Sequence, residues 1–130
     1  MIEKNRILLV DDDEMVLSCL QDLLSQHFDL DVACGSYQAF EAMTKRGPYA
    51  VVVSDMTMPG MTGLELLSKA KQISPRTVGL LLSGNVEVDA AYDAVRMGIA
   101  LKVVEKPCAA GKLIHLLEEA LAAYENKVDI

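Results

Sequence analysis

Two short runs, residues 49–54 (YAVVVS) and 77–82 (TVGLLL), are apolar at nearly every position. A strand with one wet face alternates polar and apolar residues, so runs like these fit strands covered on both faces. Further strand-like runs are read at 6–10 (RILLV), 30–34 (LDVAC) and about 100–104 (ALKVV), and helical periodicity fills the intervals. Five βα units with doubly covered middle strands predict a doubly wound α/β domain, a five-stranded parallel sheet with helices on both faces.

The helices are read from spacing and end signals. Val16, Leu20 and Leu23, with Leu17 and Leu24 beside them, predict a first helix over 14–27. Ser36 is expected to cap a second, which turns Phe40 and Met43 inward and stops at Gly47-Pro48. Thr62-Gly63-Leu64-Glu65 matches a capping box and opens a third helix ending before Ser74-Pro75; a fourth is expected over about 86–97 and ends at Gly98. A fifth covers about 109–126 with Leu113, Leu117 and Leu121 as its buried stripe.

At 130 residues, with 52% hydrophobic side chains, the chain has the size and core material of one domain, expected over 1–130. Twelve basic against 19 acidic residues give a net charge of −7, which opposes phosphate backbones and anionic lipid, so direct binding of nucleic acid or membrane is not expected. Cys19, Cys34 and Cys108 are odd in number and lack C-x-x-C spacing, and no secretory leader is read at the N-terminus. Reduced thiols and a cytoplasmic location are the expectation.

In an open parallel sheet, ligands bind at the carboxyl ends of the strands, where strand order reverses. The first strand runs into Asp11-Asp12-Asp13, the third into Asp55, the fourth into Ser83 and the fifth into Lys106-Pro107. An aspartate after a strand commonly makes a turn or caps a helix, and Asp13 is read that way. A lysine has no such use, and the four strand ends together are chemically complementary. Clustered Asp11, Asp12 and Asp55 repel one another unless a cation intervenes, and an all-oxygen set without a nearby His or Cys pair indicates Mg²⁺ rather than zinc. A carboxylate can also attack phosphorus: Asp55 would form an acyl phosphate while Lys106 and Ser83 share the charge on the phosphoryl oxygens.

The segments Ile7-Leu8-Leu9-Val10-Asp11-Asp12, Ser54-Asp55-Met56-Thr57-Met58-Pro59-Gly60-Met61-Thr62-Gly63, Leu82-Ser83-Gly84 and Glu105-Lys106-Pro107 together resemble the receiver domain of bacterial two-component response regulators. The resemblance covers essentially the whole chain. It implies a (βα)₅ flavodoxin-like fold with strand order 2-1-3-4-5, and phosphorylation of Asp55 by a sensor histidine kinase or histidine phosphotransfer protein. It further implies Mg²⁺ on Asp12, Asp55 and the backbone carbonyl of Thr57, with Asp11 helping through water. Lys106 would pair with the phosphoryl group, Ser83 would report its presence to the fourth helix, and the Lys106–Pro107 peptide is usually cis in such domains. Such a chain is a signalling receiver that catalyses its own phosphorylation and dephosphorylation, read by a downstream effector protein or an output domain, rather than a metabolic enzyme.

The chain departs from that family pattern at several positions. Val103 stands where receivers usually carry a Tyr or Phe that swings inward, and the interval from Gly98 to Lys106 is one residue longer than is typical. Gly84 replaces the commoner Ala, and Thr57 and Asn85 are expected to flank the phosphoryl group and tune its loss. His27 and His115 are read as surface or packing residues, and Met56, Met58 and Met61 as packing for the loop. Two rival classes share parts of the pattern. A haloacid-dehalogenase-like phosphatase would use Asp11 as nucleophile and Asp13 as general acid, but it needs a further acidic pair at a later strand end, which this chain lacks. A flavodoxin-like mononucleotide module would need a glycine-rich phosphate loop after the first strand, where three aspartates stand instead.

Overall fold

The computed structural model describes residues 5–84, 88–106 and 108–126. Its elements run β1 (Arg6–Asp11), α1 (Glu14–Leu24), β2 (Asp29–Cys34), α2 (Ser36–Lys45), β3 (Val51–Asp55), α3 (Gly63–Ile73), β4 (Val78–Ser83), α4 (Val88–Arg96), β5 (Lys102–Glu105) and α5 (Ala110–Asn126). The strands form one parallel sheet in the order β2-β1-β3-β4-β5, as expected.

Alternation along each strand divides the core into two layers. Leu8, Val10, Val52 and Leu81 pack with Ala39, Leu66, Leu67 and Ala94, under α2, α3 and α4. Ile7, Leu9, Val51, Val53 and Leu80 pack with Leu17, Leu24, Leu113 and Leu117, under α1 and α5. Both layers are dry, and β3 and β4 are buried at every residue, which is why their sequences are almost continuously apolar. The chain leaves β1 toward β2 on one side and returns to β3 on the other, so the order reverses between β1 and β3. The carboxyl ends of those two strands therefore mark the switch point, where open α/β sheets bind their ligands.

The local signals behave unevenly. Thr62 and Glu65 form the expected reciprocal capping box at the start of α3. Asp13 caps α1, its Oδ1 accepting from the Met15 and Val16 amides at 2.9 and 3.4 Å. Ser36, by contrast, does not cap α2: Gly35 occupies that position with φ at 89°, a conformation that favours glycine, and Ser36 is the first helical residue. Phe40 is 41% exposed instead of facing inward; Ala39, Ala42 and Met43 make the buried face. In α1 the inward stripe is Leu17 and Leu24, with Leu20 partly covered, whereas Val16 and Leu23 face solvent. That helix ends at Leu24, and Ser25 to His27 form a turn. β5 begins at Lys102 because the Ile99 and Ala100 amides donate back to the Ala94 carbonyl at the end of α4, at 2.9 and 3.2 Å. Residues 86–87, where the fourth helix is expected to begin, lie outside the described residues.

Candidate functional site

The polar groups collect at the carboxyl edge of the sheet. β1 runs Ile7-Leu8-Leu9-Val10 through the core and ends on Asp11, which is 3% exposed. Asp11 Oδ1 accepts from the Asp13 amide at 3.0 Å, while Asp11 Oδ2 is buried and has no hydrogen-bond partner among the described residues. Burial lifts the Asp11 carboxyl above the usual carboxylate range; Asp55 and Asp12 push the same way, against the Asp13 amide and Lys106. Asp12 follows and is exposed.

β3 delivers Asp55 beside them, 7% exposed. The start of α3 comes close to this strand end because residue 63 is glycine: a β-carbon there would overlap the Asp55 carbonyl and lie 2.9 Å from Leu81 Cδ2. The Gly63 amide donates to the Met56 carbonyl at 2.8 Å and locks the approach. Carboxylate oxygens of Asp11, Asp12 and Asp55 all lie within 4.8 Å of one another. From β5, Lys106 Nζ donates to Asp55 Oδ1 at 2.7 Å. Among the described residues one ammonium thus meets a cluster of three carboxylates, which leaves the cluster short of positive charge.

The donor set fits a hard divalent cation such as Mg²⁺. It is made of carboxylate oxygens alone, and the unpartnered buried oxygen of Asp11 is in the state that a cation or its water would relieve. The structure thus brings Asp11, Asp12, Asp55 and Lys106 together. Ser83, fully buried at the end of β4, is joined to Lys106 through the backbone, the Lys106 amide donating to the Ser83 carbonyl at 2.9 Å. Its hydroxyl donates to the Gly84 carbonyl at 3.0 Å rather than to Asp55. Thr57 is exposed, two residues beyond Asp55. Asn85 and the Lys106–Pro107 peptide lie outside the described residues.

Three neighbours of the site were not legible in the sequence. Cys34, at the end of β2, donates its thiol to the Asp12 carbonyl at 3.6 Å, and burial together with the nearby carboxylates lifts that thiol's pKa. Ser54, fully buried in β3, donates its hydroxyl to the Asp55 carbonyl at 2.9 Å. Tyr92 on α4 donates to Glu105 Oε2 at 3.3 Å, one residue before Lys106, while half-buried Val103 packs into the layer under α2 to α4. No sequence pattern marks a thiol-to-carbonyl contact, a hydroxyl bonded to the next residue, or a pairing between helix and strand. The Asp13 carboxylate is committed to capping α1, which removes the general acid that a dehalogenase-like phosphatase would require.

Comparison with known proteins agrees with the fold. Residues 7–118 match the family model of the response regulator receiver domain. The uncharacterized transcriptional regulatory protein YesN of Bacillus subtilis is 31% identical over 126 residues, a match covering 94% of this chain and 34% of YesN. This chain therefore spans about a third of that relative's length. A solved chain titled adenylate cyclase from Rhodopirellula baltica superposes with a TM-score of 0.91 at 35% identity, covering 95% of this chain and 91% of that one. The signal receiver domain of an HD domain-containing protein from Pseudomonas fluorescens gives a TM-score of 0.88 at 29% identity, covering 96% and 100%. A family match over most of the chain, a sheet of order 2-1-3-4-5 and an acidic crevice closed by a lysine place this protein in the response regulator receiver domain family of two-component systems.

Proposed function

We propose that residues 1–130 act as a single receiver module that takes a phosphoryl group on Asp55 from a phosphohistidine of a sensor histidine kinase or histidine phosphotransfer protein. The observation that carries this reading is the placing of Asp55: nearly buried, 2.7 Å from the Lys106 ammonium, and within 4.8 Å of the oxygens of Asp11 and Asp12. Asp55 is the carboxylate that both cationic poles of the site would share. Asp11, Asp12, Asp55 and the Thr57 carbonyl are the residues that would hold Mg²⁺, and a bound Mg²⁺ neutralises charge on phosphoryl oxygens.

The chain's own residues then have distinct parts. An Asp55 carboxylate oxygen bonds to phosphorus as the bond from phosphorus to the donor breaks. Lys106 Nζ, held against Asp55 Oδ1 beforehand, stays within reach of the incoming phosphoryl oxygens and balances their charge. Ser83 rotates its hydroxyl from the Gly84 carbonyl toward the phosphoryl group, which couples the new charge to the β4–α4 segment. Thr57, exposed two residues beyond Asp55, sets how readily water removes the phosphoryl group. The altered surface is read by a downstream effector protein or an output domain, in the cytoplasm; among the described residues no helix is long and apolar enough to cross a membrane.

Intact mass after incubation with acetyl phosphate tests the reading. One added phosphoryl group is expected, dependent on Mg²⁺ and lost in Asp55→Asn. A folded protein that takes no label, or takes it equally as Asp55→Asn, would show the reading to be wrong.

A further inference from the structure

We propose that Ser54 is a positioning residue for phosphoryl transfer, acting by holding the main-chain carbonyl of Asp55; this rests on the reading of Asp55 as the phosphoacceptor. β3 is Val51-Val52-Val53-Ser54-Asp55, buried throughout. Ser54 is 0% exposed, and by the two-residue period it shares the face of Val52, in the apolar layer under α2 to α4. A fourth valine would fill that place without a polar atom to satisfy. A hydroxyl buried there is costly unless it is bonded, and its Oγ donates to the Asp55 carbonyl at 2.9 Å.

The other end of the same peptide unit is also fixed. The Met56 amide donates to the Leu82 carbonyl at 2.8 Å, across the sheet to β4. Gly63 closes on the Asp55 carbonyl so tightly that a β-carbon would overlap it. Both polar ends of the Asp55–Met56 peptide are therefore held, and with them the backbone from which the Asp55 side chain projects. Asp55 has to meet Lys106 at 2.7 Å while sharing the crevice with Asp11 and Asp12, so a small rotation of its peptide displaces the attacking oxygen. Attack geometry is sensitive to displacements well under the length of a bond. Ser54 takes no part in the bond changes: an Asp55 oxygen forms the bond to phosphorus, the bond from phosphorus to the acyl oxygen of acetyl phosphate breaks, and acetate leaves.

The test compares Ser54→Ala, Ser54→Val and Ser54→Thr with the unaltered chain, following phosphorylation by acetyl phosphate at saturating Mg²⁺ together with thermal melting. Valine and threonine have nearly the same shape, so that pair isolates the hydroxyl. The maximal rate is expected to fall about tenfold in Ser54→Ala and Ser54→Val and to stay within about twofold in Ser54→Thr. The acetyl phosphate concentration giving half the maximal rate should be unchanged throughout. Equal maximal rates for Ser54→Ala and the unaltered chain, with Asp55→Asn still unlabelled, would overturn the role of Ser54 and leave Asp55 as phosphoacceptor. Rates that follow melting temperature across the three variants, rather than the presence of the hydroxyl, would overturn it as well. Absence of label in the unaltered chain would remove the reaction itself, and the proposal with it.

Discussion

Lys106 Nζ stands 2.7 Å from Asp55 Oδ1, an ion pair closed across 51 positions of sequence. β5 carries the lysine to the sheet edge and β3 carries the aspartate, so the pair exists only once β4 has joined them. The Lys106 side chain is 42% exposed, and solvent screens it. The Asp55 side chain, only 10% exposed and beside two further carboxylates, loses this partner in Lys106→Met, so the metal-free fold should lose about 1 kcal/mol after solvent screening. The effect on chemistry should be larger, because the ammonium is aimed where phosphoryl charge arrives: phosphorylation should slow by about 100-fold. Mg²⁺ binding should tighten, since a competing cation is gone. Urea titration, phosphorylation rates and calorimetric Mg²⁺ titration of one variant check all three, and unchanged phosphorylation would contradict the role given to the lysine.

Asp11 should destabilise the metal-free fold at neutral pH. Its carboxyl is buried with one oxygen unpartnered, and its pKa lies above the usual carboxylate range. The folded state thus holds a proton on Asp11 over a pH interval where the unfolded chain has released it, and stability falls as pH rises through that interval. Asp11→Asn should gain about 1 kcal/mol at pH 7 without Mg²⁺, a rise of roughly 3–6 °C in melting temperature, and should lose most of the stabilisation that Mg²⁺ gives the unaltered chain. Melting curves with and without Mg²⁺ decide; a lower melting temperature in metal-free Asp11→Asn would count against this account.

A second buried polar group gives the opposite end of the sheet its own pH dependence. The Tyr49 hydroxyl donates to Asp31 Oδ2 at 2.5 Å, under the Arg6 guanidinium, which lies 4.7 Å from the ring centre. Burial raises the Tyr49 pKa, and the bond to Asp31 raises it further. Its stabilisation is therefore complete below about pH 10, where an unfolded tyrosine begins to ionise, and is lost as pH climbs through the raised folded value. Tyr49→Phe should cost about 1 kcal/mol at pH 8 and remove that share of the alkaline loss. Urea midpoints of the two proteins between pH 8 and 11 should converge; parallel lines would refute the assignment.

Gly63→Ala tests the close approach of α3 to β3. The added methyl would overlap the Asp55 carbonyl and press on Leu81 Cδ2, so α3 has to shift. A loss of about 2 kcal/mol in urea unfolding is expected, with slower phosphorylation because the displaced backbone is that of Asp55. A variant as stable as the unaltered chain would mean that α3 moves aside freely.

Much of this fold could be read before the structure, where the sequence states a physical requirement outright. The apolar runs of β3 and β4 can be dry on both faces only in mid-sheet, and Thr62 with Glu65 spells a cap that needs no tertiary context. The rotation of α1 is less legible. Its apolar residues occupy more than one face, and only packing decides that Leu17 and Leu24 are covered while Val16 and Leu23 are wet. The exposure of Phe40 is equally illegible, since Ala39, Ala42 and Met43 already make the buried face of α2. At the site, charged residues at strand ends were legible because solvent-avoiding strands must stop at them. The hydroxyl of Ser54 was not, because its partner is the main chain of its own neighbour, which leaves no trace in the pattern of side chains.

On the proposed function Asp55, and neither Asp11 nor Asp12, carries the phosphoryl group. Borohydride reduction of the acetyl phosphate-treated protein converts an acyl phosphate to an alcohol at the labelled residue, which peptide mass mapping then locates. Reduction is expected at Asp55 alone, and only in samples treated with Mg²⁺. Reduction at Asp11 or Asp12, with Asp55 recovered intact, would contradict the proposed function.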